Sequence, residues 1–161
     1  MTKLHDFRLR DIDGNERDLG ELKGKVALLV NVASQCGYTP QYEGLEALYK
    51  QLGPKGLVVL GLPSNDFGAQ EPGTEAEIKS FCSTRYGVSF PMFSKLRVKG
   101  DQKHEIYRWL TGSASPAGEV KWNFEKFLVG KDGQIVGRFG SGTAPSSAEL
   151  VGAIEKALAA P

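Results

Sequence analysis

The sequence predicts an α/β fold: a mixed β-sheet flanked by helices, with a β-hairpin at the N-terminal end. Three observations predict it. First, VALLVNVA at 26–33 and GLVVLGL at 56–62 are almost continuously apolar, as strands buried on both faces must be. Second, Tyr42, Leu45, Leu48, Tyr49 and Leu52 recur between them at helical spacing, which makes a β-α-β unit. Third, two short apolar runs flank Lys131-Asp132-Gly133 and read as an antiparallel hairpin.

Each element follows in order. Residues 7–10 and 16–19 are short strands around Asp13-Gly14, a hairpin turn signal. Residues 26–33 are the first buried strand and residues 34–39 a loop. Pro40 stands where a first helical residue tolerates it, and Gly53-Pro54 ends the helix after Leu52. Residues 56–62 are the second buried strand and 63–73 (PSNDFGAQEPG) a loop. Thr74 with Glu77 forms a capping box for a helix to about Tyr86. Pro91-Met92-Phe93 reads as a short strand, 101–110 as a helix and 111–121 as a polar loop. Residues 124–129 and 134–139 pair, and Ser146 with Glu149 caps a last helix to about Ala159. The order, with two βαβ-type crossovers, is the thioredoxin-like arrangement.

A chain of 161 residues fits one domain, 1–161, with a single core. Its 40% hydrophobic and 24% charged residues are ordinary for a soluble globular protein. The net charge of +1 argues against a broad footprint for nucleic acid or anionic membrane. The longest apolar run, Val26–Val30, is too short to span a bilayer. The start, MTKLHDFRLRDIDG, has no apolar stretch of the secretion type, so the expected location is cytoplasmic. In a reducing compartment the two cysteines, Cys36 and Cys82, are either inert or used for redox chemistry. Two cysteines and two histidines show no ligand spacing, so neither metal nor cofactor is expected. His5 lies near a terminus expected to be flexible, and His104 at a helix start, expected to be solvated.

Cys36 follows a buried strand and precedes a helix, where unpaired N–H groups favour a thiolate. Position alone is equally compatible with a small buried hydrophobe. A magnitude limits what thiolate formation achieves. A thiol of pKa about 8.5 is roughly 3% ionised at pH 7, so full ionisation raises the reactive fraction only about 30-fold. Fast displacement chemistry at a thiolate needs donors aimed at the leaving group as well. No CxxC motif is present, because Thr39 occupies the second position.

Three blocks then carry a family resemblance. Asn31-Val32-Ala33-Ser34-Gln35-Cys36-Gly37 resembles the active-site signature of glutathione peroxidases, with cysteine as the central residue. Leu62-Pro63-Ser64-Asn65-Asp66-Phe67-Gly68-Ala69-Gln70-Glu71-Pro72-Gly73 is similar to the second signature, and Trp122-Asn123-Phe124-Glu125-Lys126-Phe127-Leu128-Val129 to the third. The resemblance implies a catalytic tetrad of Cys36, Gln70, Trp122 and Asn123. The physical logic agrees, since two amides and an indole are neutral N–H donors. Taken singly, Gln70 is a polar loop residue, Trp122 a core anchor and Asn123 a turn residue. Two departures stand out: Ser64 replaces a cysteine common in non-animal members, and Asp66 replaces the usual glutamine.

Cys82 lies four residues after Ile78, on an apolar stripe that suits a packed core cysteine. The segment 81–91 resembles the resolving region of two-cysteine members, which implies that Cys82 resolves a Cys36 sulfenic acid. The helix carrying Cys82 is then expected to open locally, since a disulfide needs Cα atoms roughly 4.4–6.8 Å apart. The resemblance further implies a hydroperoxide substrate, organic or lipid hydroperoxides included. It implies thioredoxin rather than glutathione as reductant, and a monomer. A peroxide sensor passing oxidation to a partner thiol would use the same residues. A non-catalytic binding module is disfavoured by the complete tetrad, and a peroxiredoxin by Ala33 where that family carries threonine.

Overall fold

The structure, a computed structural model, describes residues 1–161. They run in order through β1 (Arg8–Arg10), β2 (Glu16–Asp18), β3 (Val26–Val32), α1 (Gln41–Leu52), β4 (Leu57–Pro63), α2 (Glu75–Tyr86), α3 (Glu105–Ser113), β5 (Lys126–Val129), β6 (Ile135–Phe139) and α4 (Ala148–Ala159). The main sheet has the order β4-β3-β5-β6. β3 and β4 are parallel, from Val26 opposite Leu57 to Val32 opposite Pro63. β5 lies antiparallel to β3, and β6 antiparallel to β5. β1 and β2 form a separate hairpin, joined to the body by a bridge between Asp11 and Phe93.

The apolar runs form strands because both faces are covered. Every residue of β3 and β4 is buried. Side chains alternate across a strand, so the runs feed two core layers. Ala27, Leu29, Leu60 and Phe127 pack with α3 and the N-terminal segment, including Leu4, Leu9 and Leu19. Val26, Leu28, Val30, Val32 and Val59 pack with Tyr42, Leu45 and Leu48 of α1, Ile78 and Cys82 of α2, and Leu150 and Ile154 of α4. The thioredoxin-like α/β expectation is met. No helix is long and apolar enough to cross a membrane.

Several local expectations are corrected. Only β3-α1-β4 is a parallel crossover; after α2 and α3 the chain returns on the other side of β3 as an antiparallel strand. Residues 91–93 make bridges through Met92 and Phe93 rather than a strand. α3 starts at Glu105 instead of 101, because His104 caps it: its Nδ1 accepts the Ile106 N–H at 3.1 Å. That ring is therefore engaged, and half-buried rather than solvated. Ser147, not Ser146, caps α4, accepting the Leu150 N–H at 3.3 Å. The N-terminus is tied down, with Leu4 N–H donating to Gly133 O at 2.9 Å and His5 buried. The Thr74–Glu77 capping box of α2 is present in both directions, at 3.0 and 3.2 Å.

Gly61 lies within β4, and a Cβ there would stand 2.4 Å from Met92 Sδ and 3.1 Å from Phe90. Gly61→Ala is expected to lower stability by about 1–3 kcal/mol through overpacking. A urea unfolding curve with an unchanged midpoint would contradict this packing.

Candidate active site

The site grows from the ends of two parallel strands. Because β3 and β4 run parallel, the loops that follow them, 33–40 and 64–73, leave the same edge of the sheet. Two hydrogen bonds join these loops. Gln35 N–H donates to Gln70 O at 3.0 Å, and Ser34 N–H to Glu71 Oε1 at 3.1 Å.

Cys36 sits on a turn that ends before α1 and is 7% exposed. Thr39 shapes that turn. Its hydroxyl accepts the Cys36 N–H and donates to Ala33 O, both at 2.8 Å. Tyr38 N–H then reaches Cys36 Sγ at 3.3 Å. A backbone amide of the turn therefore meets the sulfur, whereas the sequence pointed to the helix terminus. The helix proper begins only at Gln41.

Gln70 is half-buried and Asn123 fully buried. Asn123 Nδ2 donates to Gln70 Oε1 at 3.0 Å, which orients the Gln70 amide. Trp122 is 37% exposed, so it is no core anchor; its ring leans on Phe67 with centroids 5.5 Å apart. Gly68 adopts φ +65°, and a Cβ there would lie 3.4 Å from both Gln70 Nε2 and Trp122 Cη2. The backbone thus passes closely beneath both side chains, and its left-handed φ is what favours glycine there. Gln70 Nε2 and the Trp122 indole N–H make no hydrogen bond within the chain, so both are unspent donors.

Asn31, on the buried β3, holds this corner. Its Nδ2 donates to Trp122 O at 3.0 Å, and its backbone carbonyl accepts the Phe124 N–H at 2.6 Å. The two bonds straddle Asn123. Phe124 has φ +66°, a left-handed conformation that a bulky residue adopts only under such constraint. Its buried ring meets Tyr42 edge-on at 5.4 Å.

Glu71 is buried, and burial pushes its carboxyl above the usual carboxylate range. Its own N–H donates to Asn65 Oδ1 at 2.9 Å, stiffening the Gln70 loop. The two departures from the family pattern are also structural. Ser64 is fully buried and its hydroxyl accepts the Asp66 N–H at 3.2 Å. Asp66 pairs with Arg97 and accepts the Val98 N–H at 2.7 Å, so its carboxylate is already engaged by the 97–98 segment. Sequence reasoning assigned no role to Asn31, Thr39 or Glu71. Two of them lie inside the quoted blocks, and a buried polar residue within an apolar run is the signal that marks Asn31.

Cys82 faces the core from α2 and is 2% exposed, in the same layer as Cys36. Both thiols are free. Burial pushes Cys82 up to about 11, with the Tyr42 hydroxyl as neighbour and the Glu71 charge opposing ionisation further. The raised value has a definite sign. The buried thiol leaves stability untouched below the unfolded thiol's range, and stability falls as pH rises toward 11.

Comparisons with known proteins place the chain in a family and a fold. The glutathione peroxidase family model matches residues 4–111. A hydroperoxy fatty acid reductase, gpx1, of Synechocystis sp. is 48% identical over 96% of this chain and 95% of its own. The glutathione peroxidase-like peroxiredoxin gpx1 of Schizosaccharomyces pombe is 46% identical over 92% and 96%. The thioredoxin/glutathione peroxidase BtuE of Escherichia coli is 42% identical over 94% of each chain. Among solved structures, Trgpx in apo form superposes with TM-score 0.82 at 39% identity, covering 99% of this chain and 97% of that one. A thioredoxin family thiol:disulfide interchange protein of Chlorobium tepidum, at 16% identity and TM-score 0.73 over 98% and 96%, shares the fold.

Two outcomes follow from the site. At pH 8 iodoacetamide should label Cys82 of the reduced protein about two orders of magnitude more slowly than an unfolded thiol, because so little is thiolate. Equal labelling with and without denaturant would contradict the burial. Asn31→Ala should lower stability by about 1–3 kcal/mol, by orphaning Trp122 O, and slow peroxide attack together with it. Thermal unfolding and single-turnover kinetics would check both effects.

Proposed function

This chain belongs to the glutathione peroxidase family and is a peroxidase, and from that premise we propose a two-cysteine cycle in which Cys36 attacks the hydroperoxide, Cys82 resolves and thioredoxin recycles. Hydrogen peroxide and organic hydroperoxides, lipid hydroperoxides included, are the proposed substrates. The observation that carries the reading is the Asn123-to-Gln70 hydrogen bond on a loop tied to the Cys36 turn.

The first step is a displacement. The Cys36 thiolate gives an electron pair to the nearer peroxide oxygen, the O–O bond breaks, and the distal oxygen leaves as alkoxide or hydroxide. That oxygen takes up a proton and departs as alcohol or water, leaving a sulfenic acid. Sulfur is oxidised by two electrons and the peroxide reduced by two. The Gln70 amide and Trp122 indole offer N–H groups to the leaving oxygen without adding charge, and Asn123 holds Gln70 in that orientation. The Tyr38 N–H assists earlier, on the thiolate itself.

The second step needs Cys82. In the closed fold it is protonated at neutral pH and is a poor nucleophile. α2 fully buries only Ile78 and Cys82 of its 12 residues, with Phe81 and Tyr86 partly buried against Tyr42, so its opening must release these few contacts. Once exposed, Cys82 attacks the sulfenic sulfur, forming the disulfide and releasing water. A thioredoxin dithiol then reduces the disulfide by exchange. One relative is named for thioredoxin and glutathione together, so its name is compatible with either reductant; the choice of thioredoxin rests on the second cysteine, Cys82, which lets the oxidised protein present a disulfide for exchange.

NADPH-coupled turnover tests the cycle. Cys36→Ser should abolish it. Cys82→Ser should block thioredoxin recycling but still permit one stoichiometric attack, and peroxide-treated wild-type protein should yield a 36–82 linked peptide by mass spectrometry. Normal turnover by Cys36→Ser would overturn the assignment of the nucleophile. Absence of the linked peptide would remove Cys82 as resolver.

A further inference from the structure

Lys126 lies on β5 with its side chain fully buried. No carboxylate pairs with it; neighbouring Glu125 is engaged by Arg138 at 2.5 Å. Its three ammonium protons meet three neutral acceptors: Gln41 Oε1 at 2.6 Å, Thr143 O at 2.7 Å and Ser141 O at 3.2 Å. A buried cation without a counter-ion is expensive, and an apolar side chain of like length would fill the same volume. The charge therefore calls for an explanation beyond packing.

The acceptors point to one. Gln41 is the first residue of α1, its Nε2 donates to Ser141 O at 2.7 Å, and its N–H donates to Tyr38 O at 2.8 Å. The loop 141–143 is the other wall: the Tyr38 hydroxyl stands 3.8 Å from the Cβ position of Gly142. Lys126 thus grips the helix start and the loop on either side of Tyr38, the residue whose N–H reaches Cys36 Sγ at 3.3 Å.

We propose that Lys126 is a positioning residue, whose buried ammonium fixes Gln41 and the 141–143 loop around Tyr38 and thereby holds the Tyr38 N–H on the Cys36 sulfur. The proposal rests on Cys36 being the nucleophile. Other titratable groups at this corner are Tyr38 on the turn, Glu71 beneath Ser34, Tyr42 and Cys82 where α1 meets α2, and the Glu125–Arg138 pair. None of them bonds the Lys126 ammonium.

The test uses Lys126→Met in a Cys82→Ser background, where one thiol remains. Cys36 alkylation by iodoacetamide is followed from acid to alkaline pH, beside single-turnover attack on hydrogen peroxide. The alkylation midpoint should rise by about one unit, with rates below the midpoint falling about tenfold and the alkaline plateau retained. A lysine that only packs would lower the melting temperature and leave the midpoint in place, so an unmoved midpoint in folded protein overturns the proposal. Should Lys126→Met fail to fold, Gln41→Leu breaks the same link while keeping both carbonyl acceptors. It must show the same rise, and an unmoved midpoint there is equally fatal. Alkylation is read without turnover, so these outcomes are separate from failure of Cys36 as nucleophile, which Cys36→Ser reports.

Discussion

Asn31 places a polar side chain inside a strand that is otherwise apolar, and the segment opposite depends on it. Its amide and its backbone carbonyl take hold of residue 122 on one side and residue 124 on the other. Between those two bonds Asn123 is held fully buried, and Phe124 is kept at a positive φ. That bend delivers the chain into β5, where Lys126 turns toward the start of α1 and Phe127 toward α3. These two hydrogen bonds thus hold the entry into β5 and, through Asn123, the orientation of Gln70 together.

The two thiols share a core layer but stand in different surroundings. Cys36 stands at the strand edge, on a turn knotted by Thr39, with a backbone amide on its sulfur. Cys82 stands among Tyr42, Ile78 and other apolar groups, where ionisation is costly. The parallel pairing of β3 with β4 explains why the loop ends that frame Cys36 are adjacent: parallel neighbours release their chains at one edge.

Much of the fold was legible because burial on both faces leaves an unbroken apolar run. Residues 26–32 and 57–63 could hardly be anything else. The capping box of α2 was legible because both its partners lie within one turn. The starts of α3 and α4 were not, since adjacent candidates such as Ser146 and Ser147 differ only in which one the chain presents to the helix. Nor does local pattern say whether a later strand returns parallel or antiparallel. In the site, Gln70, Trp122 and Asn123 came from motifs. Glu71 and Asn31 were inside those motifs without a role, because their partners lie 37 and 91 residues away.

Periodicity and residue type were enough to read the layered α/β class and the two thiols from the chain, while the set of neutral donors came from the family resemblance alone. Tertiary contacts decided which donors remain unspent, that a turn amide rather than a helix end meets Cys36, and that burial pushes the Cys82 thiol up. They also decided that Lys126, one basic residue among 20, is buried against the start of α1. The physical reason is common to all of these. A hydrogen bond's partner and a group's desolvation are properties of what lies opposite in space, and spacing along the chain does not carry them.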